Sequence, residues 1–146
     1  MSDKLLIIEK EFNAPIELVW RAISEADLMK KWYFDVHNFK AEVGCEFTFE
    51  GGKEEKRYTH LCEILEVVPN RKLKYSWRYK GYEGLSFVTF ELSSMGEKTN
   101  LKLIHEGLES FVDPDFAREN FVGGWKYLIE ESLLEFLENG KALRYW

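Results

Sequence analysis

A chain of 146 residues with 45% hydrophobic and 16% aromatic residues has the size and composition of one globular domain. Its formal net charge of -6 argues against a basic surface of the kind that binds nucleic acid or anionic membranes. The apolar run Leu5–Ile8 is too short for a signal sequence, and no apolar segment reaches the roughly 18 residues of a membrane span. We therefore expect a single cytoplasmic domain over residues 1–146, with reduced cysteines and neither nucleic-acid nor membrane partners.

The N-terminal part predicts one strand followed by two short helices. Lys4–Phe12 is the first predicted strand. Asn13 is a suitable N-cap and proline suits a first helical turn, so the sequence predicts a helix over Pro15–Ile23. Ser24 is expected to cap a second short helix, Ser24–Asp27, whose first turn is acidic.

The middle of the chain predicts an antiparallel sheet. From Cys45 onward, apolar residues recur with a period of two, which is typical of strands with one buried face. A break in this alternation predicts a β-bulge near Ile64 and Leu65. The predicted strands lie around residues 45–49, 58–68, 72–80, 88–92 and 101–105, with turns at 51–54, 69–71, 81–84 and 95–97. Successive strands joined by such short turns form an antiparallel sheet.

The C-terminal part predicts one long amphipathic helix. Asp113 is the expected cap and Pro114 the first turn. Such a helix must bury its apolar stripe on the sheet, which gives an α+β fold with a curved antiparallel sheet wrapped around a long C-terminal helix. The residues spaced by three and four on the predicted inner face are Phe121, Trp125, Leu128, Ile129, Ser132, Leu133 and Phe136.

Two adjacent glycines, Gly123 and Gly124, lie inside this predicted helix. Each costs about 1 kcal/mol relative to alanine, so the pair calls for a structural reason. A phosphate site at a helix start is disfavoured, because Asp113 places the start well before the glycines. We expect either that neighbouring backbone packs closely against them or that they form the mouth of a cavity.

The order of these segments resembles the AHSA-type proteins of the SRPBCC or START-like superfamily. The segments that carry the resemblance are NAPIELVW, EADLMKKWY and GWKYLIEESLLEFLENG, and the likeness extends over Leu5–Gly140. AHSA-type proteins are homologues of the C-terminal domain of the activator of the heat-shock chaperone ATPase. The resemblance implies a helix-grip fold with a cavity between the C-terminal helix and the concave face of the sheet. It also implies a small hydrophobic molecule as partner, or alternatively a chaperone or another protein.

The candidate ligand-binding residues are mostly aromatic side chains on the predicted inner faces. They either fill a core or border a pocket in which a ligand meets the polar tips of Tyr and Trp, and the pattern does not decide between the two. The candidates are Trp32, Tyr33, Phe47, Phe49, Tyr58, His60, Tyr75, Trp77, Tyr79, Phe90, His105, Phe121, Trp125, Leu128 and Ser132.

The predicted hairpin between the second and third strands brings two cysteines together. If it closes at residues 53–54, the opposed pairs are Cys45 with Cys62, Phe47 with His60, and Phe49 with Tyr58. Opposed side chains lie about 5 Å apart at Cβ, so Cys45, His60 and Cys62 are weak candidates for a zinc or redox site. Two buried free cysteines that pack as small apolar residues are the simpler interpretation.

His105 continues the inward phase of Leu101 and Leu103, so it is expected to face the interior. There it either orients a ligand or transfers a proton, or it satisfies its hydrogen bonds inside the core. The sequence contains no Walker loop, G-x-S-x-G, H-E-x-x-H or dinucleotide-binding motif, so no cofactor is expected.

Three functions therefore remain open at the level of sequence. The favoured one is a non-enzymatic cytoplasmic protein that binds a small hydrophobic ligand in an aromatic cavity. The first alternative is a chaperone-linked or regulatory interaction module. The second is a cyclase-like or hydrolytic enzyme that uses His105.

Overall fold

The computed structural model describes residues 5–53 and 56–139. It contains a six-stranded antiparallel sheet with strand order β1-β6-β5-β4-β3-β2, two short helices after the first strand, and a long C-terminal helix. This is the predicted α+β helix-grip architecture. The strands and short helices are β1 (Leu5–Phe12), α1 (Ile16–Ser24), α2 (Ala26–Trp32), β2 (Glu46–Lys53), β3 (Lys56–Val68), β4 (Lys72–Tyr79), β5 (Ser86–Met95) and β6 (Lys98–Glu106).

Helix α1 begins later than the sequence predicted. Its N-cap is Pro15, which still has extended backbone angles, so Asn13 lies outside the helix and does not cap it. Ser24 ends α1 instead of capping the next helix, and its hydroxyl donates to the carbonyl of Trp20. A serine in the last helical turn can bond the carbonyl four residues back, which competes with a role as N-cap.

Helix α2 is longer than predicted and has a different cap. Its N-cap is Glu25, and it continues past Asp27 to Trp32. The extension follows from burial, because Met29 and Trp32 both lie in the core. The Trp32 indole N–H donates to the carbonyl of Ala22 at 2.7 Å, which fixes α2 against α1.

The β2–β3 hairpin pairs two residues away from the predicted register. Phe47 opposes Cys62 and Phe49 opposes His60, while Gly51 lies within β2 rather than in the turn. Because side chains alternate with a period of two, a shift of two residues keeps every side chain on its predicted face and changes only its partners. The last residue of the predicted turn, residue 54, lies outside the described residues.

The pairing of β3 with β4 contains the predicted irregularity. The register shifts between Ile64 and Glu66, which confirms a β-bulge at this position. Such a bulge bends the strand and increases its twist, and this helps the sheet to curve around the helix.

The C-terminal helix begins at Arg118, not at Asp113. Asp113 caps a separate 3-10 turn, Pro114–Phe116, in which its Oδ1 accepts from the N–H of Asp115 at 2.8 Å. Ala117 then provides the N-cap of the main helix. The helix comprises α3 (Arg118–Lys126), a π-helical segment (Tyr127–Leu133) and α4 (Leu134–Asn139). None of the described helices is long and apolar enough to cross a bilayer.

The π-helical segment changes which side chains face the sheet. Its turns are wider than those of an α-helix, so the residues after it are rotated relative to the predicted stripe. Leu133 and Leu137 are buried, whereas Phe136 is only partly buried at the edge of the core. The predicted inner face is therefore confirmed as far as Leu133, while Phe136 packs against the core only at its edge.

Candidate functional site

A pocket of about 550 Å³ opens between strands β2–β4, the 3-10 turn and the first half of the C-terminal helix. Its walls are mainly aromatic, as expected for a site that binds a small organic molecule. The predicted candidates that line it are Tyr58, His60, Trp77, Tyr79, Phe121, Trp125 and Leu128.

The other predicted candidates lie in the core and do not line the pocket. Their polar tips find partners inside the protein: the hydroxyls of Tyr33 and Tyr75 bond each other at 2.8 Å, and the Ser132 hydroxyl donates to the carbonyl of Trp32 at 2.7 Å. The candidates placed in the core in this way are Trp32, Tyr33, Phe47, Phe49, Tyr75, Phe90, His105 and Ser132.

The remaining lining residues were not among the predicted candidates. Four of the eight come from the segment before the helix and from the end of β2, where the sequence predicted a cap and a turn. These residues carry no periodic hydrophobic signal that could have placed them. They are Phe34, Gly51, Gly52, Lys56, Asp115, Phe116, Asn120 and Gly124.

The glycine pair of the helix contributes to the wall of the pocket. Gly124 lines the pocket, and a Cβ atom added at Gly123 or Gly124 would meet no atom within 4 Å. The expectation that neighbouring backbone packs closely against the pair is therefore wrong. The open side of the helix supports the other expectation, in which the absent side chains leave room beside a cavity.

His105 is buried with both ring nitrogens in hydrogen bonds. The Trp125 indole N–H donates to Nδ1 at 2.9 Å, so Nδ1 is unprotonated and Nε2 carries the proton. Nε2 then donates to the Ser86 hydroxyl at 2.8 Å, and Ser86 donates to the carbonyl of Trp77 at 2.9 Å. Burial lowers the pKa of His105 to about 3. The ring is a neutral structural group whose hydrogen-bonding capacity is used within the core.

His60 is buried as well, but only one of its nitrogens is used. Nδ1 lies 3.1 Å from the carbonyl oxygen of Tyr58 and 3.3 Å from that of Phe49. Burial lowers the pKa of His60 to about 4, opposed by the two carbonyls and helped slightly by the charge of Arg57. Nε2 has no hydrogen-bond partner among the described residues, and the ring lines the pocket.

The indole N–H of Trp77 is a second polar group of the pocket wall whose hydrogen bonding is incomplete among the described residues. This N–H is buried and has no hydrogen-bond partner in the described part of the chain. The indole nevertheless lies close enough to Tyr79 to lower the pKa of that phenol, which burial raises by a larger amount. The contact between the two side chains is therefore a weak polar one and not a hydrogen bond.

The mouth of the pocket carries a small charged cluster. Lys56 Nζ lies 2.9 Å from Asp115 Oδ2, and the Tyr58 hydroxyl donates to the same oxygen. Asn120 donates from its side chain to the Asp115 carbonyl at 3.1 Å. These contacts connect the β2–β3 hairpin to the 3-10 turn before the helix. Lys56 and Asp115 are the charged side chains of the described lining, and their exposure of 59% and 45% places both at the entrance.

The proposed cysteine cluster does not form. Because of the shifted register, Cys62 opposes Phe47, and the Cys45 thiol donates to the carbonyl of Asn38 at 3.1 Å. Burial raises the pKa of Cys62, which disfavours the thiolate that binds metals. Over residues 5–53 and 56–139, no group of three His, Cys, Asp or Glu side chains is arranged to hold a metal ion.

Solved structures share this fold over nearly the whole chain. The protein MLL2253 from Mesorhizobium loti is 28% identical, with a TM-score of 0.76 and coverage of 95% of this chain and 99% of that one. PFC0360w, an Hsp90 activator from Plasmodium falciparum, is 21% identical, with a TM-score of 0.71 and coverage of 89% and 93%. DynU16, a protein in the dynemicin biosynthetic locus, is 20% identical, with a TM-score of 0.81 and coverage of 98% and 50%. Identities this low in the last two show the fold alone.

No curated protein matches the sequence. A family model does match residues 13–138, which include the short helices, strands β2–β6 and the C-terminal helix to within a residue of its described end. Its description is "Activator of Hsp90 ATPase homolog 1-like protein". The AHSA-type resemblance drawn from the motifs is thereby confirmed, and the chain belongs to the family of activator of Hsp90 ATPase homolog 1-like proteins.

Proposed function

We propose that this protein binds a small apolar, aromatic molecule in the pocket between β2–β4 and the C-terminal helix. The observation that carries the proposal is the pocket of about 550 Å³ with its aromatic lining. A volume of this size accommodates a drug-sized ligand, and clefts with few polar groups among aromatic walls are the usual sites for such molecules. The charged side chains of Lys56 and Asp115 lie at the mouth, so the rest of the described lining presents aromatic rings and uncharged polar atoms.

The enzymatic alternative based on His105 gains no support from the geometry. Both of its nitrogens bond groups of the core, and the ring does not line the pocket. A general acid or base must be within hydrogen-bond reach of its substrate. Binding without chemistry on His105 is the function that the arrangement favours.

The proposal can be tested by filling the pocket from the helix. Gly124→Phe adds a ring where Gly124 lines the pocket, and neither glycine of the pair has a positive φ that would disfavour a side chain. We expect at least a tenfold loss of affinity for aromatic probes such as 2-naphthol, measured by quenching of tryptophan fluorescence, since Trp77 and Trp125 line the pocket. The matched control is Gly123→Phe, which adds the same ring one residue away, outside the lining.

The two variants also separate this proposal from a chaperone-linked function. That alternative is favoured by the family description and by the fold shared with the Plasmodium activator. An interaction through the outer surface does not depend on space inside the pocket. If purified Hsp90 binds the wild-type protein and Gly124→Phe equally well while no aromatic probe binds the wild type, the ligand-binding proposal is wrong.

A further inference from the structure

We propose that the ligand of this pocket is a neutral aromatic molecule with a hydroxyl or ring N–H group that donates a hydrogen bond to Nε2 of His60. The inference rests on the proposed binding function and adds to it the chemical class of the ligand and the residue that selects it. It follows from the tautomer of His60, the packing that fixes its ring, and the distribution of charge around the pocket.

The surroundings of Nδ1 determine the tautomer. Both atoms within hydrogen-bond distance of it are carbonyl oxygens, those of Tyr58 and Phe49, which only accept. Nδ1 must therefore carry a proton. The ring is neutral near pH 7, because its pKa lies at about 4, so Nε2 carries a lone pair and is an acceptor.

Packing holds this acceptor in one orientation. The His60 ring stacks on Phe49 with centroids 4.2 Å apart and an interplanar angle of 16°, and it stands edge-to-face to Trp77 at 4.9 Å. On its Cε1–Nε2 edge lies Gly51: a Cβ added there would come within 2.9 Å of Cε1 and 3.6 Å of Nε2. The glycine therefore leaves that edge uncovered at the pocket wall.

The charges around the pocket select a neutral donor. A buried acceptor lone pair repels a carboxylate or phenolate, and an anion would also lose its hydration. A cation would need a carboxylate, but Asp115, the one acidic residue among the described lining residues, lies at the mouth in contact with Lys56 and Tyr58. An uncharged phenol-like hydroxyl or aromatic N–H satisfies Nε2 without these costs.

A matched pair of probes tests the inference. 2-Naphthol donates a hydrogen bond, whereas 2-methoxynaphthalene has the same ring system with the donor blocked. We expect the wild-type protein to bind 2-naphthol roughly threefold to tenfold more tightly, the usual net value of one hydrogen bond. In His60→Phe, which keeps a ring but removes Nε2, this preference should vanish. His37→Gln, which changes an exposed histidine outside the lining, should keep it.

The outcomes separate this inference from the function on which it rests. Equal binding of both probes to the wild type, or an unchanged preference in His60→Phe, would overturn the inference and leave aromatic ligand binding intact. Failure of both probes to bind the wild type would overturn both. If His60→Phe does not fold, ¹⁵N NMR of the wild-type imidazole decides: the Nε2 resonance must shift with 2-naphthol and not with 2-methoxynaphthalene, and equal shifts would overturn the inference.

Discussion

The two buried histidines, His60 and His105, stand in similar surroundings and differ in one respect. Both face the inside of the sheet, both are almost inaccessible to solvent, and burial lowers the pKa of each. His105 uses both ring nitrogens, with Trp125 and Ser86 as partners, whereas among the described residues His60 finds partners only for Nδ1. Burial and a shifted pKa alone therefore do not identify a functional histidine; an unsatisfied ring nitrogen at a pocket wall is the more informative feature.

The largest expected effect concerns what the two rings share, which is the lowered pKa. The folded pKa values, about 4 for His60 and about 3 for His105, lie below the ordinary value of 6.5. The unfolded chain therefore takes up protons first, so the stability that each neutral ring confers is complete above pH 6.5 and is lost as the pH falls toward the folded pKa. The contribution of each histidine to the free energy of unfolding should therefore fall by on the order of 2–3 kcal/mol between about pH 7.5 and pH 4.5.

Urea unfolding across this range measures the loss. Carboxylates titrate in the wild type and in the variants alike, so the quantity to follow is the difference in free energy of unfolding between wild type and His105→Phe or His60→Phe. This difference should shift in favour of each variant as the pH falls. Curves that stay parallel would mean that the rings titrate normally in the folded protein.

The second effect depends on how the rings differ. His105→Phe removes the acceptor of the buried Trp125 indole N–H, and an unsatisfied buried donor costs about 1–3 kcal/mol. His60→Phe removes only a donor whose bonds, at 3.1 and 3.3 Å, are long, so we expect about 1 kcal/mol or less. Urea unfolding at about pH 7.5 should therefore show the larger loss for His105→Phe. Equal losses would show that the two environments are energetically alike.

The fold could be predicted from the sequence because its signals are periodic. Alternation by two placed His60, Trp77 and His105 on the inner face, and the resemblance supplied the helix-grip topology. The hairpin register was not accessible in this way: a shift of two residues preserves the alternation, so Cys45 could be paired with Cys62 without violating the pattern.

The pocket was only half predictable for a related reason. Its aromatic wall follows the strand period, but the rest of its lining includes Asp115 and Phe116 from the 3-10 turn and Asn120 from the first turns of the helix. Asp113 followed by Pro114 is typical of the start of a helix, but in the structure the two residues begin a separate 3-10 turn. Which nitrogen of each histidine is free depends on contacts such as that between Trp125 and His105, which are distant in sequence.

The smallest expected effect on stability concerns the mouth of the pocket, where the side chains are exposed to solvent instead of buried. Lys56 and Asp115 form an ion pair whose side chains are 59% and 45% exposed, and solvent screens such pairs strongly. Lys56→Met should therefore change the free energy of unfolding no more than Lys80→Met, which alters an exposed lysine outside the pocket lining. A clearly larger loss for Lys56→Met than for Lys80→Met would mean that the entrance contributes to stability as the core around His105 does. A change no larger than that of Lys80→Met would mean that the contacts at the entrance stabilise the fold much less than the buried hydrogen bonds of His105 do.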